Sequence, residues 1–205
     1  MGIALPVSRI RQLVCVLLLG AGLIAGHALA EPPSSQVPES SDAALRARHL
    51  DALFAHLETA KVEEEADATV AEIWKLWLQS GRADIDAAMQ EALNLMGQGL
   101  LAQAMPALDD IIARAPDWAE AWNKRATVLY LLGEHDRSLA DIERVLALEP
   151  RHFGALAGIG LIRMDRGEPR AALAAFRRAL AINPFLKERF ALIPALEREI
   201  GEKPL

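Results

Sequence analysis

The chain holds one cysteine in 205 residues, Cys15, and this scarcity closes off several kinds of chemistry. Cys15 stands in an apolar run from Leu13 to Ala25 that follows Arg9 and Arg11. After that run come His27-Ala28-Leu29-Ala30 and then Glu31-Pro32-Pro33, which is the layout of a secretory leader with small residues before a cut after Ala30. An uncleaved anchor is the competing reading, because Leu13 to Ala30 is 18 residues and about 20 span a bilayer. The well-placed Ala-Leu-Ala site favours cleavage. A mature chain beginning at Glu31 has no thiol, so it forms no disulfide and offers no cysteine ligand or nucleophile, although export leads to a compartment where disulfides form.

Basic clusters are missing as well. The formal charge is −6, and loss of the two leader arginines takes it to −8. Nucleic-acid binding depends on counterion release by a basic face, and this chain has none, so nucleic acid is not an expected partner. Nucleophiles with a neighbouring base are equally scarce. Ser34, Ser35, Ser40 and Ser41 lie in a proline-rich stretch, Ser80 stands at a helix end, and Ser138 occupies a packing position. Thr59, Thr69 and Thr127 belong to no motif with a histidine. His49 and His56 share a helix face but lack a cysteine or acid at ligand spacing, and His135 and His152 each stand near a helix start, where hydrogen-bonding or surface roles are expected. Gly20, Gly22 and Gly26 fall in the leader, which leaves no glycine-rich phosphate loop. The acidic runs Glu63-Glu64-Glu65 with Asp67 and Asp109-Asp110 suit a helix start and a solvated face. Trp74, Trp77, Trp118 and Trp122 read as packing residues. The expectation is a protein that is not an enzyme and holds no metal or cofactor.

What the sequence does have is a repeat. Residues 31–42 carry Pro32, Pro33, Pro38 and four serines and read as a disordered tether. From Ala43 onward apolar residues recur every three or four positions, which predicts helix throughout. Gly99, Gly133 and Gly167 are spaced by 34, as are Pro116, Pro150 and Pro184. The same offset aligns Ala104, Ser138 and Ala172, then Met105, Leu139 and Leu173, then Leu108, Ile142 and Phe176. It also aligns Ile111, Val145 and Ala179, and Ile112, Leu146 and Leu180. The glycine ends a first helix, the small residue lets a second helix approach it, the large residue fills the space beside that contact, and the proline stops the second helix.

Ala119-Glu120-Ala121-Trp122, Gly133, Ser138-Leu139, Ile142, Val145-Leu146 and Glu149-Pro150 resemble a unit of the tetratricopeptide-repeat (TPR) family over residues 119–152. Leu156, Ile159-Gly160, Gly167, Ala172, Phe176, Ala179-Leu180 and Asn183-Pro184 repeat it over 153–186. Residues 85–118 form a weaker first unit, with Ala88 at the tryptophan position and Glu91 where leucine is usual; Arg125, Arg163 and Pro106 also depart from the pattern. Ahead of the units, residues 43–84 carry the stripes Leu50, Leu53, Phe54, Leu57 and Val70, Ile73, Trp74, Trp77, read as an antiparallel helix pair packed on the first unit. This pair is similar to the leading segment of small exported TPR proteins of Gram-negative bacteria. Residues 187–205 supply a capping helix and tail; the helix is expected from Phe185 to Ile200, interrupted by Pro194, with Phe190, Ile193 and Leu196 packed on the last repeat and Lys187, Glu188, Glu197 and Arg198 at the surface. The fold class is all-α, an α-solenoid of three TPR helix pairs with an N-terminal helix pair and a C-terminal capping helix.

The resemblance implies a concave groove lined by the second, fifth, ninth, twelfth and thirteenth residues of each unit. These are Asp86, Met89, Leu93, Met96 and Gly97; Glu120, Asn123, Thr127, Tyr130 and Leu131; and Gly154, Ala157, Leu161, Met164 and Asp165. Met89, Leu93, Met96, Asn123, Thr127, Tyr130, Leu131, Leu161 and Met164 are the candidate partner-binding residues. Methionine adapts to varied partners, and the lining is largely apolar. The implied function is a non-catalytic scaffold or adaptor, exported to the periplasm, whose groove takes an apolar or helical segment of a protein or peptide and which has no membrane contact after leader cleavage. A structural or self-assembling module, its groove filled by its own flanking helices, is the alternative.

Overall fold

Gly99, Gly133 and Gly167 stand at φ +74°, +79° and +71°, where a residue without Cβ is cheapest. At each, the same two hydrogen bonds close the preceding helix. Gly99 N–H donates to Met96 O and Leu100 N–H to Leu95 O; the pairs Gly133–Tyr130 with Glu134–Leu129 and Gly167–Met164 with Glu168–Arg163 repeat the arrangement. This closure satisfies carbonyls that a helix end otherwise leaves orphaned.

The computed structural model describes residues 39–201; the expected leader, the tether as far as Pro38 and residues 202–205 lie outside them. The described residues form α1 (Glu39–Thr59), α2 (Glu63–Trp77), α3 (Ala83–Gly97), α4 (Leu101–Arg114), α5 (Ala119–Leu131), α6 (His135–Leu148), α7 (Phe153–Asp165), α8 (Pro169–Ile182) and α9 (Glu188–Ile200). The pairs α3–α4, α5–α6 and α7–α8 are the three repeat units, each followed by its proline two residues past the last helical residue. Helix α1 starts at Glu39, inside the stretch read as a tether; residues 39–42 hold no proline to keep the chain extended.

The repeat columns form the core. Ala104, Leu108 and Ile111 are fully buried, as are Ala172, Phe176 and Ala179. Ser138 does more than stay small, because its hydroxyl donates to the Ala126 carbonyl of α5 at 2.8 Å. Gly160 leaves room for the Phe176 ring, which would lie 2.6 Å from a Cβ at that position. Arg125, off the apolar pattern, ties α4 and α6 together: its guanidinium meets Asp109 at 2.7 Å and Asp141 at 2.8 Å and lies over the Trp122 ring. Glu91 is exposed on the first helix of the first unit, where a polar residue suits the open end of a solenoid. Pro106 leaves α4 unbroken.

Both ends differ from expectation in detail. Helix α9 starts at Glu188, not Phe185, and runs through Pro194 without a break. Leu192, Ile193 and Leu196 pack against the last repeat, whereas Phe190 is 65% exposed. Glu188 and Glu197 are not surface residues: both are buried, and Glu197 accepts from Arg177 at 3.0 Å. The larger correction concerns the α1–α2 hairpin. Its cluster of Phe54, Leu57, Ile73 and Trp77 packs on Phe153, Leu156, Ala179 and Leu186, all in the third unit or the turn after it. The hairpin is joined to the first unit by the chain, yet its apolar stripe meets the aromatic inner face of α7.

Candidate functional site

Helix α5 carries Glu120, Asn123, Lys124 and Thr127 on successive turns, a polar stripe in a helix whose other residues are largely apolar. In an open solenoid such a stripe would face water. Here Glu120, Lys124 and His152 are essentially inaccessible. Glu120 Oε1 meets Lys124 Nζ at 2.8 Å, Glu120 Oε2 meets His152 Nε2 at 3.0 Å, and Asn123 Nδ2 donates to both carboxylate oxygens. The Ala155 N–H donates to His152 Nδ1 at 3.1 Å, so His152 caps α7 and carries its proton on Nε2, facing Glu120. Burial pushes the Glu120 carboxyl upward, but the Lys124 charge and the hydrogen bonds from His152 and Lys124 outweigh it and hold it at about 2. Lys124 occupies the third side of this cluster, which makes it a neutralised ion-pair network and not a metal site.

The roof over the network is the α2 aromatic pair. Trp77 stacks on the His152 ring at 4.0 Å with an 8° interplanar angle, and Trp74 meets His152 and Phe153 edge-on at 5.5 and 5.7 Å. Lys124 Nζ lies 5.2 Å from the Trp74 ring centroid, a cation–π contact in a buried site. Gly154 is the seat: a Cβ there would lie 2.8 Å from Trp74 Cη2. The Trp118 indole N–H donates to the Trp77 carbonyl at 2.8 Å and pins the end of α2 to the junction of the first and second units. Around the rim, Arg151 pairs with Asp51 at 2.7 Å and lies over Phe54, and Lys187 pairs with Glu63 and Asp67 at 2.6 and 2.9 Å.

A family model described as tetratricopeptide repeat matches residues 89–146 and 132–186. A TPR repeat-containing protein of Rhizobium etli is 39% identical over 137 residues, 67% of each chain. The chain belongs to the tetratricopeptide-repeat family. The human Superkiller complex protein 3 is 26% identical over 82 residues, 40% of this chain and 5% of that protein. A crystal structure of MamA protein shares the fold at TM-score 0.53, with 16% identity over 77% of this chain and 84% of that chain.

The structure divides the predicted TPR groove residues. Met89 and Met96 are buried with Ile85, Leu108 and Val128, where α3 meets α4 and α5, and Leu93 packs half-buried against the same cluster. Tyr130 and Leu161 are buried in the cluster that includes Leu192 and Leu196 of α9, with Leu131 and Met164 half-buried beside it. Asn123, Thr127 and Tyr130 line, with Gly154 and Gly158, a cavity of about 20 Å³, room for a single water. In this conformation these nine residues do not form one open face. Sequence reasoning expected a hydrogen bond of His152 at a helix start and packing roles for Trp74 and Trp77, as the structure shows, but it missed Lys124, Phe153 and the meeting of all five in one buried cluster. The signals were present: a polar stripe in an otherwise apolar helix, and two tryptophans one turn apart.

Proposed function

We propose that this TPR protein is an exported scaffold of the cell envelope that holds a helical, apolar segment of a partner protein on its concave face. TPR repeats generally mediate protein–protein interactions, and among the described residues no helix is long and apolar enough to cross a membrane. The observation that carries the reading is the seating of α2: two tryptophans of an amphipathic helix lie across α5 and α7, so this face accepts a helix of that kind. Met89, Leu93, Met96, Asn123, Thr127, Tyr130, Leu131, Leu161 and Met164 remain the proposed lining, and those packed between α3, α4 and α5 or against α9 become available only if these helices shift as well as the hairpin.

Re-exposing Phe54, Leu57, Ile73 and Trp77 costs on the order of 10 kcal/mol, at roughly 1.5–3 kcal/mol per large apolar side chain. A partner must therefore replace the hairpin with groups of similar kind. The filled groove also favours the second reading, a structural or self-assembling module with its hairpin permanently seated.

A tether between the hairpin and α7 separates the two. With cysteines at Asp51 and Arg151 joined by a short bismaleimide, the adaptor reading expects loss of partner capture from the native envelope fraction, and the uncoupled variant retains it. Equal capture by both forms would place the partner elsewhere on the molecule. Export is tested independently by mass spectrometry of the mature protein: Glu31 at the N-terminus supports it, and an intact membrane-embedded leader contradicts it.

A further inference from the structure

The α2 helix shows in outline what the concave face recognises. Its two tryptophans, one turn apart, occupy a seat made by the bare backbone of Gly154, the His152 and Phe153 rings and the Lys124 ammonium. Acidic residues at the start of α2 meet a basic rim, with Glu63 and Asp67 on Lys187 and Glu63 also 3.4 Å from Arg189. The seat thus reads three features: an aromatic pair at i and i+3, a face narrow enough to lie on glycine, and carboxylates about two to three turns N-terminal to the aromatics.

We infer that the partner segment is an amphipathic helix with an aromatic pair one turn apart and acids toward its N-terminus, and that α2 occupies its place as a built-in competitor. This rests on the concave-face reading proposed above. A rival helix without the aromatic pair leaves the His152 and Trp74 seats empty, and one with basic residues at its start meets Lys187 and Arg189 as like charges. The hairpin also reduces the apparent affinity of any partner by the fraction of time it is seated.

The test uses the full mature chain and a labelled synthetic peptide spanning residues 61–79, read by fluorescence anisotropy. A chain with Trp74→Ala and Trp77→Ala should bind this peptide at least about ten-fold more tightly than the wild-type chain, because the competitor is weakened. The same peptide carrying both Trp→Ala changes should bind neither chain. Should the double variant unfold, Glu63→Lys with Asp67→Lys, which opposes only the hairpin's side of the exposed rim pairs and leaves Lys187 and Arg189 for the peptide, replaces it and should raise peptide binding in the same direction. Equal affinity for both chains, or equal binding of the tryptophan-free peptide, overturns the inference. So does hairpin exchange between copies in the absence of peptide, seen as dimers by size measurement. Peptide binding together with unchanged partner capture by the tethered protein would sustain this recognition chemistry and refute the adaptor reading, which keeps the two failures distinct.

Discussion

At Gly133 the backbone stands at φ +79°, and a Cβ added there would meet nothing within 4 Å. A substitution at this position therefore reports conformational strain and not a clash. Valine, with its branched Cβ, is poorly tolerated in the left-handed region, so Gly133→Val should destabilise the protein by more than about 1 kcal/mol. For a chain of this size that is a fall of roughly 2–4 °C in Tm per kcal/mol, and an unchanged Tm would contradict the repeat register. Glu120 supports a different test. Its carboxyl is held at about 2 in the folded protein against an ordinary 4.5, so its contribution is full above pH 4.5 and is lost as pH falls from 4.5 toward 2. Glu120→Gln removes the buried carboxylate that Lys124 meets at 2.8 Å and should cost about 3–5 kcal/mol at neutral pH in urea unfolding. The variant should also show a shallower loss of stability between pH 4.5 and 2. A variant as stable as wild type, with the same acid profile, would mean that the network is not closed in solution.

Among the elements, α2 is the one whose position the sequence left open. Its amphipathic stripe and acidic first turn were legible, since Glu63, Glu64 and Glu65 do begin the helix. Its destination was not. Periodicity tells which face of a helix is apolar, and it carries no information on which distant surface that face meets; here the contact joins residues 63–77 to α7, far along the chain. Gly154→Val tests the docking locally. The new Cβ would lie 2.8 Å from Trp74 Cη2, so the indole must leave its seat. Hydrogen exchange in α2 should quicken by about ten-fold or more while α4, α6 and α8 keep their protection. Continued protection of α2 would show that the hairpin is held by something other than the tryptophan seat.

Over the whole molecule, the three units and their turns were readable because each repeat solves the same packing problem with the same residue types: glycine where φ is positive, a small residue at the close approach, and proline past the second helix. The groove was readable only as a set of positions. Whether those positions face water depends on the curvature of the stacked units and on what lies across them, and the sequence spacing of Asn123, Thr127 or Leu161 encodes neither. The C-terminal helix shows the same limit, since Glu197 is polar yet buried against Arg177 and Phe190 is apolar yet exposed.

The central claim, that the chain closes its own concave face, is most directly tested by zero-length carbodiimide crosslinking of the unmodified mature protein followed by peptide mass spectrometry. Lys187 Nζ lies 2.6 Å from Glu63 and 2.9 Å from Asp67, more than a hundred residues away in sequence. The account predicts amide links from Lys187 to Glu63 or Asp67 within the monomer, at yields similar to the local Lys75–Glu72 pair at 3.4 Å. Formation of the local link without any link to Lys187 would contradict it.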